Sequence, residues 1–260
     1  MNVYSEQFGF GPDIVLLHGW GLHSGVWSSI AEKLSESWRV TLIDLPGHGR
    51  SRDPDPDTPF DLDTVSAAVA AAAPPRATWI GWSLGGLFAS KTAIEHPDRV
   101  SRLVLVASSP RFVTAPDWPH AMEPQVLKAF GDSLENDYTG TLERFIGLQV
   151  AAGSDRARET LRKLRAQLFR HPPPPPGILR GGLRLLEQAD LRPRMGRIMC
   201  PTLLIYGARD AIVPAGVGRA LRQQLPLASL KIIERAGHAP FLSHPREFMT
   251  ALSRFLHDDA

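Results

Sequence analysis

The sequence predicts an α/β fold, in which a mostly parallel central sheet is flanked by helices. Short runs rich in Val, Ile and Leu alternate with longer helical patterns, and each run ends in a turn signal. These runs are almost continuously apolar instead of alternating, which indicates strands that are covered on both faces. They lie at residues 14–17, 40–43, 78–80, 103–106, 203–206 and 230–233.

Length and composition are consistent with one such domain. The chain has 260 residues, of which 43% are hydrophobic, and this suffices for a sizeable core. The formal charge of +2 is too small to indicate nucleic-acid binding. The single cysteine, Cys200, excludes an internal disulfide and a cysteine-based metal cluster. We expect no metal and no cofactor, and we expect residues 1–8 to add an antiparallel edge strand.

Targeting and membrane signals are not evident in the sequence. The N-terminal residues lack the basic stretch and apolar run of a signal peptide. The most apolar stretch, residues 65–73, is too short to cross a bilayer. We therefore expect a soluble cytoplasmic protein that does not contact membranes, and we expect it to be a monomer.

The alternation of strands and helices breaks between residues 109 and 200. Only helical patterns occur there, at residues 123–134, 138–150, 156–169 and 178–188. Five consecutive prolines at 172–176 predict a stiff extended connector, because proline lacks the backbone donor that helices and central strands need. The sequence thus predicts a core at residues 1–108 and 201–260, with a helical cap inserted at 109–200.

Ser83 is the candidate nucleophile. It lies in residues 81–85, GWSLG, which fit the pattern G-x-S-x-G between a predicted strand and a predicted helix. Glycines on both sides permit a sharp turn that raises the serine oxygen out of the sheet edge, next to a helix N-terminus that stabilises negative charge. A glycine-rich turn that happens to contain a serine is the alternative, and the flanking strand and helix argue against it.

His238 and Asp210 are the candidate base and acid. A serine needs a base to take its proton, and His238 follows the last predicted strand, at the end where α/β sheets place their ligands. Asp210 directly follows the strand at 203–206, where a carboxylate can orient the imidazole. Each residue alone has an ordinary structural explanation. The chain order Ser83, Asp210, His238 favours catalysis, because this fold uses that order.

Two backbone amides are candidates for stabilising an oxyanion. Residues 18–21, HGWG, follow the first buried strand, and the glycines let the backbone approach a ligand closely. The amides of Trp20 and Leu84 are therefore expected to point at the same carbonyl oxygen. An ordinary glycine turn remains the alternative. The similar segment at 44–51, DLPGHGRS, is predicted to be a structural turn without chemistry.

These motifs resemble those of the α/β-hydrolases. The shared segments are residues 18–21 (HGWG), 44–49 (DLPGHG), 81–86 (GWSLGG) and 236–240 (AGHAP). A narrower resemblance, to the pimeloyl-[acyl-carrier protein] methyl ester esterases of biotin synthesis, rests on Trp20, Trp82, residues 107–110 (ASSP) and residues 143–149 (ERFIGLQ). It implies hydrolysis of a methyl ester on a pimeloyl chain that acyl-carrier protein holds. The substrate-lining residues that it implies are Trp20, Ser83, Leu84, Phe145, Ile146, Gly147, Leu148, Gln149 and His238. The chain departs from the pattern at Gly140, where another basic residue is expected, and at the proline run.

Charge in the inserted segment indicates an acidic partner. Residues 141–200 contain 12 Lys and Arg against 5 Asp and Glu, a net charge of +7, so the rest of the chain carries −5. Arg158, Arg162 and Arg165 share one predicted helix face, and Arg144 lies on the preceding helical pattern. We expect Arg144, Arg158 and Arg162 to contact acyl-carrier protein. A solvated helix face is the alternative.

Other functions remain open from the sequence. The same triad serves hydrolases of small soluble esters and hydrolases of carbon–carbon bonds. A serine at the elbow argues against relatives that use an aspartate there, such as dehalogenases and epoxide hydrolases. A relative that binds ligands without catalysis is a further alternative, which the intact triad disfavours.

Overall fold

The computed structural model of the protein describes residues 1–52, 59–150 and 155–258. Within these ranges, seven strands form one sheet in the order β1-β3-β2-β4-β5-β6-β7. β1 is antiparallel to β3, and all other neighbouring strands are parallel. The strands are β1 (Ser5–Phe8), β2 (Asp13–Leu17), β3 (Arg39–Ile43), β4 (Ala77–Trp82), β5 (Val100–Val106), β6 (Thr202–Gly207) and β7 (Ala228–Ile233).

Helices follow most of the strands. Those in the described part of the chain are α1 (Ser28–Leu34), α2 (Leu62–Ala72), α3 (Leu84–Glu95), α4 (Pro124–Asn136), α5 (Tyr138–Leu148), α6 (Asp155–Leu168), α7 (Pro176–Gln188), α8 (Ala215–Gln224), α9 (Pro240–Ser243) and α10 (Pro245–His257). The α/β fold class and the mostly parallel sheet predicted from the sequence are confirmed. Each of the six apolar runs lies within a strand, and residues 5–8 form the predicted antiparallel edge strand.

β7 differs from the prediction that every apolar run is covered on both faces. Ser229 and Lys231 are exposed, and Leu230 is only half-buried. The reason is position, because β7 is an edge strand that pairs with β6 alone. A run of apolar residues shows that a strand forms, but the number of its neighbours decides how far it is buried.

The segment between β5 and β6 is helical, as expected, and contains α4 to α7. The prediction that all five prolines at 172–176 form an extended connector is wrong for Pro176, which is the first residue of α7. Proline suits the first helical turn, because the N–H that it lacks has no partner there. The division into core and cap stays a prediction, and its ranges include residues 53–58, 151–154 and 259–260, which lie outside the described residues.

The candidate residues meet at one edge of the sheet. The strands β2, β4, β6 and β7 run parallel, so their carboxyl ends lie on the same side. Trp20 follows β2, Ser83 follows β4, Asp210 follows β6 and His238 follows β7. This is the edge at which parallel sheets bind ligands.

A search of the described residues for membrane-spanning helices found none that is long and apolar enough to cross a bilayer. The cytoplasmic location and the monomeric state inferred from the sequence stay predictions.

Candidate active site

Ser83 sits on a strained turn between β4 and α3. Its φ of 53° and ψ of −121° are rare for a residue with a side chain, and strain of this kind concentrates at functional sites. The flanking glycines make the turn possible: a Cβ at Gly81 would lie 2.5 Å from Gly86 Cα, and a Cβ at Gly85 would lie 2.5 Å from the carbonyl oxygen of His18. The serine itself is almost fully buried.

Three hydrogen bonds hold the backbone of this turn. The N–H of Ser83 donates to the Val106 carbonyl at 3.0 Å, and the carbonyl of Ser83 accepts from the Gly86 N–H at 2.9 Å. The same carbonyl accepts from Ser108 Oγ at 2.7 Å. Ser108 in turn accepts the Tyr206 hydroxyl on its own carbonyl oxygen. The ends of β5 and β6 therefore brace the candidate nucleophile.

The sequence did not assign Ser108 and Tyr206 any role. Burial raises the pKa of Tyr206, so its hydroxyl stays protonated and acts as a donor. The available signal was weak: Ser108 belongs to the ASSP segment that carried the resemblance, and Tyr206 ends the apolar run before Asp210. Neither position indicates the other, because their contact depends on the pairing of β5 with β6.

Asp210 and His238 form a buried pair. Nδ1 of His238 lies 2.8 Å from Oδ2 of Asp210, and both side chains are at most 1% exposed. The other carboxylate oxygen accepts the backbone N–H groups of Ile212 at 2.8 Å and Val213 at 2.9 Å. These bonds fix the carboxylate, which in turn orients the imidazole. Nε2 of His238 is buried and has no hydrogen-bond partner among the described residues, Ser83 included. The role of His238 as the base for Ser83 therefore stays a proposal.

Backbone contacts place His238 beside the elbow. Its carbonyl oxygen accepts the indole N–H of Trp82 at 2.8 Å, and the two rings lie 5.7 Å apart. Since Trp82 directly precedes Ser83, this bond ties the base to the strand that carries the nucleophile. The N–H of His238 donates to the carbonyl of Gln149 at 3.0 Å. The loop of the base is therefore held both by the sheet and by the end of α5.

The predicted oxyanion donors flank Ser83. Leu84 opens α3, so its N–H is among the first amides of the helix, which have no acceptor within the helix. Gly19, just before Trp20, lies against the nucleophile, since a Cβ built on it would be 3.3 Å from Ser83 Cβ. This arrangement suits an anion at the N-terminus of a twelve-residue helix. The oxyanion role of Trp20 and Leu84 stays a proposal.

Comparison with known proteins places these features in a family. A family model described as alpha/beta hydrolase fold matches residues 12–245. A curated protein from Chromobacterium violaceum, named pimeloyl-[acyl-carrier protein] methyl ester esterase, is 49% identical over 260 residues, which cover 100% of both chains. The chain belongs to this esterase family of the α/β-hydrolase fold. A second member with the same name, from Nitrosomonas europaea, is 45% identical over 96% of this chain and 97% of its own.

A solved structure agrees with the fold of this esterase family. An esterase from Exiguobacterium antarcticum matches with a TM-score of 0.88 and covers 98% of this chain and 95% of its own. Its sequence identity of 23% shows the shared fold alone. The family model and the two curated relatives confirm both resemblances predicted from the sequence, the broad one to the α/β-hydrolases and the narrower one to the pimeloyl-[acyl-carrier protein] methyl ester esterases.

The Trp20 side chain joins the core to the inserted helices. Its indole N–H donates to the carbonyl of Leu179 on α7 at 2.9 Å. Its ring meets Phe145 on α5 edge-on, with centroids 4.7 Å apart, and Phe145 meets Phe130 on α4 at 5.6 Å. Trp20 and Phe145 are buried and Phe130 is half-buried, so these aromatic side chains form an apolar contact next to the candidate oxyanion loop.

The five residues at the end of α5 that the resemblance implies, Phe145 to the C-cap residue Gln149, do not share one environment. Phe145, Ile146 and Gln149 are buried, whereas Gly147 and Leu148 face solvent. Helix geometry explains the split. At 3.6 residues per turn, Phe145, Ile146 and Gln149 fall within one arc of about 100° around the helix axis, and the two residues between them lie outside this arc. The structure therefore does not bring Gly147 and Leu148 to the site, and we leave both out of the proposed lining.

The segment at 44–51 has a structural arrangement, as the sequence indicated. Asp44 accepts the N–H of Ser24 at 2.7 Å and the N–H of Arg50 at 2.8 Å. Burial alone would raise the pKa of Asp44, but the neighbouring His18 and the hydrogen bonds from Ser24 and Arg50 lower it to about 2. Arg50 also contacts Glu6 at 2.8 Å and lies over the Tyr4 ring. The turn is thus locked to β1.

The arginines proposed for the partner lie on α5 and α6. Arg158, Arg162 and Arg165 are exposed, while Leu164 and Leu168 on the same helix are buried. Arg165 lies 3.6 Å from Glu143 on α5. Arg144 differs from Arg158 and Arg162, since it pairs with Asp137 at the start of its own helix at 2.9 Å.

Proposed function

We propose that this protein is a serine esterase that hydrolyses the methyl ester of pimeloyl-[acyl-carrier protein], releasing methanol and pimeloyl-[acyl-carrier protein]. The names of its curated relatives support this substrate. One observation carries the chemistry: Nδ1 of the buried His238 lies 2.8 Å from Asp210, and the carbonyl of His238 accepts the indole N–H of Trp82, the residue before Ser83.

In the first half of the proposed reaction Ser83 becomes acylated. Its Oγ attacks the ester carbonyl while Nε2 of His238 takes the hydroxyl proton. The carbonyl oxygen becomes negative and is stabilised by the N–H groups of Trp20 and Leu84. When the tetrahedral intermediate collapses, the bond to the methoxy oxygen breaks. His238 gives its proton to that oxygen, and methanol leaves.

In the second half water releases the acyl group. Nε2 of His238 takes a proton from water, which attacks the acyl carbonyl and forms a second tetrahedral intermediate. Collapse breaks the bond to Ser83 Oγ, and the proton returns from His238 to that oxygen. The product is a free carboxylic acid on the pimeloyl chain. Asp210 orients the imidazole and stabilises the imidazolium that forms in each half.

The proposed lining suits a methylene chain that ends in a small ester. Trp20, Leu84, Phe145 and Ile146 are buried and apolar. Such a surface binds an uncharged alkyl chain through the hydrophobic effect and offers little to a charged one. We therefore expect short acyl esters to be turned over faster than esters of long fatty acids, whose chains exceed the pocket of limited length that we propose.

We further propose that an acyl-carrier protein docks on the exposed face of α6. Arg158 and Arg162 lie there one turn apart and are exposed. Glu159 is close enough to Arg162 to feel its charge, but its ion pair, at 2.8 Å, is with Lys163. Both are therefore available to an acidic partner, whose approach their charge would accelerate. Arg144, the third residue predicted for this contact, is paired with Asp137 and contributes less.

Two alternative functions are separated by direct measurements. A fluorophosphonate probe labels Ser83 of an active serine hydrolase and leaves a non-catalytic ligand-binding relative unlabelled. A general esterase for small substrates, or a carbon–carbon bond hydrolase, would label equally. Comparing kcat/KM for methyl-pimeloyl-[acyl-carrier protein] with that for the free methyl ester of pimelic acid distinguishes these, because the proposal requires the carrier-bound ester to be the better substrate.

A further inference from the structure

His18 is fully buried directly after β2, and both nitrogens of its ring are engaged. Nε2 lies 2.9 Å from the backbone nitrogen of Leu45, and Nδ1 lies 2.8 Å from the carbonyl oxygen of Gly19. A backbone N–H can only donate, so Nε2 is the acceptor and carries no proton. In the neutral ring the proton is then on Nδ1, which donates to Gly19.

The surroundings of His18 keep its ring neutral. Burial and the adjacent His48, whose ring centroid is 5.3 Å away, lower the pKa of His18 to about 3. Asp44 acts in the opposite direction but does not compensate. The tautomer given by the two hydrogen bonds is therefore the one present at neutral pH.

The bond to Gly19 has a consequence for the next residue. The carbonyl of Gly19 and the N–H of Trp20 belong to one planar trans peptide, in which they point in opposite directions. The same carbonyl accepts the Leu22 N–H at 3.5 Å, so the bond from His18 is the shorter of the two. Fixing the carbonyl in this direction aims the Trp20 N–H to the opposite side. The nucleophile lies close by, since a Cβ on Gly19 would be 3.3 Å from Ser83 Cβ.

We propose that His18 is a positioning residue for the oxyanion site, where it anchors the Gly19 carbonyl and thereby aims the Trp20 N–H at the reacting ester. The proposal rests on the ester hydrolysis proposed above. His18 does not touch the substrate or the reacting atoms, and it acts only through the Gly19–Trp20 peptide. The HGWG motif predicts that the Trp20 N–H is a donor. The hydrogen bond from the buried His18 ring explains why this N–H has a fixed direction before substrate binds.

Two near-isosteric variants separate the two ring nitrogens. In His18→Asn the amide nitrogen takes the place of Nδ1 and still donates to Gly19. In His18→Gln the amide reaches the place of Nε2, so its oxygen still accepts from Leu45 but the Gly19 bond is lost. With a p-nitrophenyl ester of a short acid, we expect His18→Gln to lose on the order of 10²-fold in kcat with KM little changed. We expect His18→Asn to keep kcat close to that of the wild type.

The affinity of an inhibitor distinguishes a positioning role of His18 from a purely structural one. A trifluoromethyl ketone adds to the serine and forms an anionic adduct that needs the oxyanion donors. Its affinity should fall in His18→Gln in parallel with kcat and should be retained in His18→Asn. A folded His18→Gln protein with wild-type kcat, or equal losses in both variants, would overturn the proposal.

The tautomer provides a test that needs no variant. Nitrogen-15 NMR of the wild-type ring should show the proton of His18 on Nδ1, and a proton on Nε2 would contradict the proposal even if His18→Gln failed to fold. Failure of the proposed function looks different. In that case the wild-type protein itself would not hydrolyse the p-nitrophenyl ester, while the NMR result would be unaffected.

Discussion

The N–H of His238 donates to the carbonyl of Gln149 at 3.0 Å, which links the loop of the candidate base to the end of α5. The helices between β5 and β6 therefore help to support the candidate catalytic residues, in addition to covering the substrate as we propose. A displacement of α5 should disturb the position of His238 in addition to the fit of the substrate.

Phe145→Ala tests this coupling. Phe145 anchors α5 against Trp20 and Phe130, so its truncation should let the helix shift. Loss of a buried Phe typically costs about 3–5 kcal/mol of stability, and we expect kcat for a small ester to fall while KM rises. Leu148→Ala on the exposed side of the same helix is the matched control, and it should change neither constant. An effect on KM alone would show that α5 only lines the pocket.

A double-variant cycle tests the buried pair. Asp210→Asn and His238→Ala should each remove most of the activity, and the double variant should be barely worse than His238→Ala, because the two side chains act as a unit. If the losses in kcat multiplied instead, the residues would act independently, and one of them would be the wrong partner.

The sequence predicts those features of the site that depend on short segments of the chain, and it does not predict contacts between distant segments. Ser83, Asp210 and His238 could be predicted because a motif, a strand end and a chain order can be read directly from the sequence. The bonds from Tyr206 to Ser108 and from Trp20 to Leu179 join residues far apart in the chain, and no local pattern encodes them. A resemblance treats Phe145 to Gln149 as one block, whereas the turn of the helix separates buried members from exposed ones.

The buried histidines predict how stability depends on pH. Burial lowers the pKa of His48 from 6.5 to about 4, so between these values the unfolded chain binds more protons than the folded one. The contribution of the neutral His48 to stability is therefore fully present above pH 6.5 and is lost as the pH drops toward 4. At ~1.4 kcal/mol per pH unit, the loss for this residue is about 3 kcal/mol.

His48→Asn should flatten this dependence. The Asn amide can replace Nδ1, which lies 3.0 Å from the Pro46 carbonyl, and it does not titrate. The check is the free energy of unfolding in urea at about pH 7 and about pH 4.5, compared with His96→Asn, which changes an exposed histidine. The explanation is wrong if His48→Asn and His96→Asn have the same pH dependence as the wild type.

Charge reversal on α6 tests the docking surface. Arg158→Glu with Arg162→Glu should lower kcat/KM for the carrier-bound ester and leave a small neutral ester unaffected, because only the carrier is steered by charge. Added salt should lower kcat/KM of the wild type for the carrier-bound ester in the same way. Arg219→Glu with Arg222→Glu applies an equal charge change to the exposed side of α8 and should have a smaller effect. A parallel loss on both substrates would instead indicate that Arg158 and Arg162 stabilise the inserted helices.

Release of methanol from methyl-pimeloyl-[acyl-carrier protein] by the purified protein tests the proposed esterase function most directly. We expect one methanol for each free carboxylate formed on the pimeloyl chain, with the thioester to the carrier intact. A folded Ser83→Ala protein should be slower by on the order of 10⁴-fold or more. Methanol release by Ser83→Ala at the wild-type rate, or no release by a wild-type protein that still hydrolyses small esters, would contradict it.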